Sequence, residues 1–265
     1  MARSDVTVPN QQQPPPPGPE GDEGDVTVMA CLKGGSTKTT TTNYLAFVRA
    51  IRRKRRAGKG KNLPVKVLDA DTVSQTTYRW AKKFKEAEAR RAEARNEQAQ
   101  PYPLDVERYP FEDLDEYIAE LRSEGHDVYA DIGGGNVQLF HKSLRHADRL
   151  LVPLSPSEFD FDRVDPTFSE ASTVYDEHAR DGFETYVLLS RKISDKQSRE
   201  CRDELAKLRF RDEPLAVLDT EVEQLIEYTR QLGKIPQNLD EYTDVWDEIM
   251  RREAAKRAAL TEVAG

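Results

Sequence analysis

The chain has 265 residues, of which 37% are hydrophobic and 33% are charged, and its formal net charge is −8. This length suits one large α/β domain with appendages, and the polar composition indicates additional solvated or disordered segments. The negative charge argues against a general binder of polyanions, so any nucleic-acid surface must be a local basic patch. No stretch approaches 18 consecutive apolar residues, and the two cysteines lie far apart. We therefore expect a cytoplasmic protein with reduced thiols and no membrane insertion.

Residues 1–25 are rich in proline and glutamine and end in an acidic run. Nothing in this segment can build a hydrophobic core, so we expect a disordered tail with partial polyproline-II character. Five acidic residues against a single arginine also make it a poor DNA-binding arm. Its role stays open between a solubilising or docking tail and a ligand for a proline-recognition domain.

A glycine-bearing loop follows the apolar run from Val26 to Leu32. It reads Lys33-Gly34-Gly35-Ser36-Thr37-Lys38-Thr39-Thr40. A predicted helix then runs from Thr39 to about Arg56. Strand, glycine loop and helix form the context of a phosphate loop, because backbone amides and the helix dipole both point at a bound anion. Lys38 would then reach the β- and γ-phosphates and the Thr39 hydroxyl would hold Mg²⁺. The alternative is a plain Gly-Gly turn that carries lysines.

The loop departs from the usual G-x-x-x-x-G-K-[ST] pattern. Thr37 stands where a glycine is usual, and a second lysine, Lys33, lies upstream of Lys38. This pattern resembles the deviant Walker A loop of the ParA/MinD family, ATPases that position plasmids, chromosomes and division machinery. The resemblance covers roughly residues 26–235, is closest to small ParA-type partition ATPases, and implies a P-loop domain. Together with the alternation of strands and helices, it predicts an α/β fold with a doubly wound, mostly parallel sheet and helices on both faces.

Two acidic motifs extend the resemblance. The predicted strand from Leu63 to Leu68 ends in Asp69-Ala70-Asp71, at a sheet edge where ligand-binding groups gather. The family resemblance implies that Asp71 lies near the γ-phosphate, Mg²⁺ and the attacking water. Thr72 and Val73 stand where the family has proline and glutamine. The structural alternative for Asp71 is an N-cap of the following helix.

The second acidic motif is a short apolar strand that ends at Asp131 and is followed by Gly133, Gly134 and Gly135. It resembles the family's Walker B region. The resemblance implies that Asp131 takes Mg²⁺ through a water and that the glycines leave room for the γ-phosphate and a moving switch. A glycine-rich turn after a buried strand is the alternative.

The end of the first helix is strongly basic, with eight positive charges and no negative charge from Arg49 to Lys61. This exceeds what capping a helix C-terminus requires, so the segment is a candidate for phosphate contacts with DNA. A solvated face and an acidic protein partner are the alternatives. A weaker candidate patch surrounds the predicted helix from Ile193 to Leu208. The DNA-contacting candidates are Arg52, Arg53, Lys54, Arg55, Arg56, Lys59 and Lys61.

The remaining segments alternate between predicted helices and strands. Residues 236–265 contain a helix with apolar side chains at helical spacing; it lacks the basic flanks of a membrane helix, so we expect it to pack on the domain or on a dimer partner. Ser190 occupies a place where the family often has an adenine-contacting asparagine. The other predicted helices are 78–100, Phe111–Glu124, 159–180 and Val222–Leu232, and the other strands are Ala147–Pro156, Glu184–Ser190 and Leu215–Leu218.

The resemblance also implies a mechanism. Two protomers would sandwich two ATP–Mg²⁺ complexes, with Lys33 crossing to the partner's nucleotide, while Lys38, Thr39 and the loop amides hold their own. Catalysis would rest on positioning and charge neutralisation, with Asp71 orienting water. The ATP-bound homodimer would bind DNA non-specifically on the nucleoid, and a centromere-binding ParB-like adaptor would stimulate slow hydrolysis and release. A related ATPase for conjugation or another cargo, and a non-hydrolysing nucleotide-binding scaffold, remain alternatives.

Overall fold

A computed structural model describes residues 24–32, 37–56, 63–157, 162–178, 182–224, 228 and 231–264. At residues 54–56, 240, 263 and 264 it describes the backbone alone. The predicted N-terminal tail up to residue 23, the loop residues Lys33, Gly34, Gly35 and Ser36, and the basic residues Lys59 and Lys61 therefore lie outside the described residues. No helix within these ranges combines the length and the apolar character that a membrane crossing requires.

Strands and helices alternate along the described chain. The strands are β1 (Val26–Met29), β2 (Val65–Asp69), β3 (Leu104–Arg108), β4 (Val128–Asp131), β5 (Arg149–Leu154), β6 (Glu184–Lys192), β7 (Arg209–Phe210), β8 (Glu213–Pro214) and β9 (Val222–Glu223). The helices are α1 (Lys38–Arg56), α2 (Thr76–Arg95), α3 (Leu114–Ser123), α4 (Val137–Leu144), α5 (Val164–Glu177), α6 (Asp195–Leu205) and α7 (Asp240–Ala264).

Seven of the described strands form one parallel sheet in the order β3-β2-β4-β1-β5-β6-β9. The central strands β1, β4 and β5 are buried along their whole length, which explains why they read as continuous apolar runs. Neighbouring residues of one strand point to opposite faces, so Leu150 joins one core and Leu151 the other. Helices α3 to α6 cover the first core, and α1, α2 and α7 cover the second. The predicted doubly wound α/β fold is confirmed.

The C-terminal helix α7 completes the core on the α1 side of the sheet. Tyr242 and Trp246 are buried there. The ring centroid of Trp246 lies 5.5 Å from the guanidinium carbon of Arg49 and 5.7 Å from that of Arg149. Arg149 of β5 is itself buried and donates to both carboxylate oxygens of Glu253, at 2.7 and 3.1 Å. Burial without a partner would be costly for either charge, so this pair fixes where α7 lies against the sheet.

Several element boundaries differ from the sequence predictions. The edge strand β3 and the short helix α4 were not predicted, because neither the charged sequence of β3 nor the short helix following the glycines carries a long periodic pattern. The predicted strand Leu215–Leu218 is reduced to a single bridge between Val187 and Val217. The helix predicted to begin at Val222 is also wrong at its start, because that residue belongs to β9 and pairs with Ser190 of β6. Sheet pairing there overrides local helix propensity.

Candidate active site

The carboxyl ends of β1, β2 and β4 meet at one edge of the sheet. The strand register places Asp69 directly beside Asp131, and Asp131 beside Met29, the last residue of β1 before the phosphate loop. Both carboxyl groups are buried. Two hydroxyl groups donate to the same carboxylate oxygen of Asp131: Thr39 at 2.7 Å and Thr77 at 2.6 Å. The start of α1 and the start of α2 are thus joined through one buried carboxylate.

Asn43 strengthens this connection from the next turn of α1. Its side-chain amide donates to the backbone oxygen of Thr39 at 2.8 Å and to the Thr77 hydroxyl at 3.4 Å. Asn43 and Thr77 are both fully buried. The hydroxyls that surround Asp131 therefore belong to one connected network across two helices, in which a shift of one member alters the partners of the others.

Asp69, and not the N-cap residue Gln75, provides the side-chain cap at the start of α2. Gln75, which precedes the helix, has a left-handed backbone (φ 47°) and makes no side-chain capping bond. Asp69 instead accepts from the amide of Tyr78 at 2.8 Å and from the amide of Asp71 at 3.2 Å. Burial and the neighbouring charge of Asp131 raise the pKa of Asp69 to about 7. Burial also raises the pKa of Asp131, against the opposing hydrogen bonds from Thr77 and Thr39.

Asp71 closes the loop between β2 and α2 and does not cap the helix. Its two carboxylate oxygens accept from the amides of Val73 and Ser74 at 2.8 and 2.9 Å, and from the Ser74 hydroxyl at 2.7 Å. Burial acts to raise the pKa of Asp71, but these hydrogen bonds and the charge of Lys38 outweigh it, so the pKa lies below its usual value. Asp71 is therefore a carboxylate held in place by its own loop.

Gly133 approaches Asp71 closely. A Cβ atom at position 133 would lie 3.0 Å from the carboxyl carbon of Asp71, closer than side chains normally pack. The glycine run after β4 thus allows the two loops to meet, which is a specific reason for glycine at its first position.

A cavity of about 760 Å³ opens at the carboxyl ends of the strands, beside this hydrogen-bonded network. Lys38, the first residue of α1, lies in its wall and is largely buried. Asp71 and Gly133 also line it. The lining consists of Leu32, Thr37, Lys38, Thr39, Thr40, Asp71, Thr72, Val73, Ser74, Thr76, Gly133, Gly134, Gly135, Arg163 and Arg191.

A second cavity of about 380 Å³ shares part of this wall, including Thr37 and Arg191. It extends past Ser190 at the end of β6 towards Val222, Glu223 and the rings of Tyr228 and Tyr242. The hydroxyls of Thr37 and Ser190 form a hydrogen bond of 2.5 Å between the start of α1 and β6. Ser190 therefore connects β6 to the start of α1 in the wall of this cavity.

The oxygen donors at the first cavity suit Mg²⁺. Within the described ranges there is no cluster of three or more histidine, cysteine or acidic side chains that could hold a metal by itself. Mg²⁺ commonly takes only one or two protein oxygens and completes its shell with phosphate oxygens and water. The Thr39 hydroxyl lines the cavity, and the buried carboxylate of Asp131 lies 2.7 Å from it. Both are hard oxygen ligands, so the residues present fit this ion.

The basic end of α1 is partly used by the fold. Arg52 pairs with Asp247 of α7 at 2.7 Å, and Arg53 pairs with Asp127 at 2.8 Å. Arg49 also pairs with Asp127, at 2.7 Å. These arginines hold α1 to α7 and to the start of β4, so they offer less free charge than the sequence suggested. In the weaker patch, Lys192 and Arg202 likewise pair with acidic side chains.

Comparison with known proteins assigns the family. The family model described as ATPase MipZ matches residues 25–206. The chain belongs to this family of ParA/MinD-type ATPases. The resemblance predicted from the loop and the two acidic motifs is thereby confirmed. A comparison with curated proteins gives no match.

Solved structures of low sequence identity share the fold of this MipZ-family chain. The ATP complex of a McdA variant from Cyanothece is 16% identical over 88% of this chain and 96% of that chain, with a TM-score of 0.59. A putative plasmid partition protein from Borrelia burgdorferi bound to AMPPNP is 13% identical over 89% and 100%, with a TM-score of 0.56. Cobyrinic acid a,c-diamide synthase from Mycobacterium smegmatis with a bound ATP analogue and magnesium is 18% identical over 86% and 95%, with a TM-score of 0.59.

The structure brings together Lys38, Thr39, Asp71 and Asp131 from the sequence-predicted set, with Thr37 and Thr40 beside them. Sequence reasoning gave no role to Asp69, although it stands in the same acidic motif as Asp71. It also missed Thr77, Asn43 and Arg163. Only the short spacing between Thr77 and the acidic motif could have suggested that this hydroxyl lies near the site. The missed contacts depend on the pairing of β2 with β4, which no local pattern reveals.

The raised pKa of Asp69 predicts a specific pH dependence of stability. The folded protein holds the proton of the Asp69 carboxyl group more tightly than the unfolded chain does, so protonated Asp69 stabilises the folded state. This contribution is complete below the pKa of Asp69 in the unfolded chain and is lost as the pH rises through about 7. Relative to Asp69→Asn, the free energy of unfolding of the wild type should fall by up to about 1.4 kcal/mol per pH unit between about pH 4 and pH 7. Urea denaturation in EDTA measures this difference. The control for the loss of one charge is Asp203→Asn, which removes an exposed carboxyl group of α6. If the free energy of unfolding of the wild type and of Asp69→Asn changed in parallel with pH, the prediction would be contradicted.

Proposed function

We propose that this chain is a Mg²⁺-dependent ATPase that dimerises with ATP and segregates DNA. The observation that carries the proposal is an open cavity, lined by Lys38, Thr39 and Asp71, at the carboxyl ends of the parallel strands. The buried carboxylate of Asp131 accepts a hydrogen bond from Thr39 in its wall. Ligands of such sheets bind at this edge, and a helix N-terminus beside a lysine provides positive charge for phosphate groups. Membership of an ATPase family gives the same expectation.

Each residue in the cavity has a proposed task. Lys38 and the backbone amides at the start of α1 neutralise and hold the phosphates of the chain's own nucleotide, together with Gly34, Gly35, Ser36, Thr37 and Thr40. Lys33 reaches the nucleotide of the partner. Thr39 and Asp131 hold Mg²⁺, with Asp71 close by, and the bound ion would neutralise phosphate charge. Asp71 orients the attacking water, a task for which a carboxylate with a lowered pKa is suited because it stays ionised.

The two adjoining cavities suggest where the triphosphate and the nucleoside of one bound nucleotide would lie. The larger one contains Lys38, Asp71 and the glycine run, and it is the proposed place of the triphosphate. The smaller one is bordered by Trp80 and the rings of Tyr228 and Tyr242, which makes it the proposed place of the nucleoside. No asparagine from β6 borders it, so we propose that backbone and ring contacts there replace the family's amide.

The two lysines of the loop are expected to act differently. Lys38→Ala should lower the affinity for ATP more than about 100-fold, because it removes a buried cation from the cavity wall. Lys33→Ala should leave ATP affinity within about threefold and abolish the ATP-dependent dimer, because its proposed target is the partner's nucleotide. Calorimetry and light scattering after size-exclusion chromatography measure the two effects. A Lys33→Ala protein that still dimerises with ATP would contradict the sandwich arrangement.

DNA partition is the cellular role we propose, with non-specific DNA and a ParB-like adaptor as partners. The basic end of α1 supports DNA contact, since the charges from Lys54 to Lys61 add to a helix end already dense in arginine. Arg52 and Arg53 pair with acidic residues, so the proposed contacts are centred on Lys54, Arg55, Arg56, Lys59 and Lys61. The similarity to a putative plasmid partition protein is consistent with this role.

A matched pair of triple variants tests the DNA surface. Replacing Lys54, Arg55 and Arg56 together by glutamine should weaken binding to a non-specific duplex in the ATP state and reduce the slope of log affinity against log salt by about 3. Replacing Arg90, Arg91 and Arg95 of α2, which are exposed and carry the same total charge, should leave both quantities nearly unchanged. Binding is measured with ATP, with ADP and without nucleotide. Equal losses in the two triple variants would indicate a net-charge effect and contradict a local DNA surface.

A further inference from the structure

Arg163 is a cation at the larger cavity and has no task in the proposed function. It lies immediately before α5, its side chain is exposed, and it lines the cavity that also contains Lys38 and Asp71. No acidic residue within the described ranges forms an ion pair with its guanidinium group. Among the described residues that line this cavity, three are cationic, namely Lys38, Arg163 and Arg191, and one is acidic, Asp71. Such an excess of positive charge suits a polyanionic ligand.

Local helix chemistry does not account for an arginine at this position. Arg163 is the N-cap residue of α5 and makes no side-chain capping bond. Helix N-termini favour serine, threonine, aspartate or asparagine, and a cation there opposes the positive end of the helix dipole. An anion bound in the cavity would reverse this unfavourable local charge balance.

The backbone of Arg163 is connected to Leu32, the last described residue before the phosphate loop. Its carbonyl oxygen accepts from both the amide and the hydroxyl of Thr167, at 3.1 and 2.5 Å. The hydroxyl oxygen of Thr167 in turn accepts from the amide of Leu32 at 3.1 Å, at the point where β1 leads into the loop. Thr167 is fully buried. Arg163 is thus held to the base of the loop, so its side chain starts from a defined place.

The two cavities indicate which part of a nucleotide Arg163 meets. Arg191 lines both cavities, whereas Arg163 lines only the larger one, with Asp71 and Gly133. We propose that Arg163 contacts the terminal phosphate of ATP bound to its own chain, and that this contact makes the protein distinguish ATP from ADP. The inference rests on the proposed function, because it assumes that this cavity holds the triphosphate.

Calorimetric titration with AMPPNP and with ADP, each with Mg²⁺, tests the contact. Arg163→Gln should lower the affinity for AMPPNP by about 10- to 100-fold, the size of a lost charged hydrogen bond, and that for ADP by less than about threefold. Arg163→Lys should recover part of the AMPPNP affinity. Arg191→Gln is the matched comparison, and because Arg191 borders both cavities it should lower the two affinities by similar factors.

A second background separates a direct contact from an effect of dimerisation. In Lys33→Ala, the loss caused by Arg163→Gln should persist, because the contact lies within one chain. A loss that disappears in this background, an equal loss for AMPPNP and ADP, or no loss at all would overturn the role of Arg163 while the proposed function stands. An unmodified protein that binds neither nucleotide would overturn both proposals.

Discussion

The pairing of β2 with β4 is the constraint on which the site depends. It places Asp69 and Asp131 side by side, both buried, where two ionised carboxylates would be strongly unfavourable. The surrounding groups respond to this pair: the hydroxyls of Thr39 and Thr77 donate to Asp131, and the amide of Tyr78 donates to Asp69. The starts of α1 and α2 are therefore positioned by the carboxylates, and the cavity takes its shape from them.

This arrangement makes the beginning of α2 sensitive to what happens at Asp131. Thr77 and Tyr78 are adjacent residues of one helical turn, and each is tied to a different carboxylate of the buried pair. The loop that leads into this turn carries Asp71 and ends in the left-handed Gln75. A change in the ligands of Asp131 thus has a short, hydrogen-bonded route to the loop proposed to orient water. At the amino end of β5, the buried ion pair of Arg149 with Glu253 separately holds the sheet to α7.

Much of the fold and part of the site could be predicted from the sequence. The phosphate loop and the strand-terminal acids Asp71 and Asp131 are local patterns, so their elements were predicted within a few residues. The partners of Asp69 and Thr77 are decided by strand register, and the pairing of Arg53 with Asp127 joins residues far apart along the chain. Such contacts leave no local periodicity. The sequence alone therefore cannot show that Arg49, Arg52 and Arg53 of the basic segment pair with acidic residues of the fold.

The central claim is that the cavity at the carboxyl edge binds Mg²⁺ and ATP. Hydrogen–deuterium exchange of the full chain, with and without Mg²⁺ and AMPPNP, tests it most directly, because it reports where along the chain the nucleotide protects the backbone. We expect the nucleotide to slow exchange at the start of α1, in the segment from Asp69 to Tyr78 and in the glycine run after Asp131. Unchanged exchange in these three segments, or protection confined to the opposite edge around Arg149 and Glu253, would contradict it.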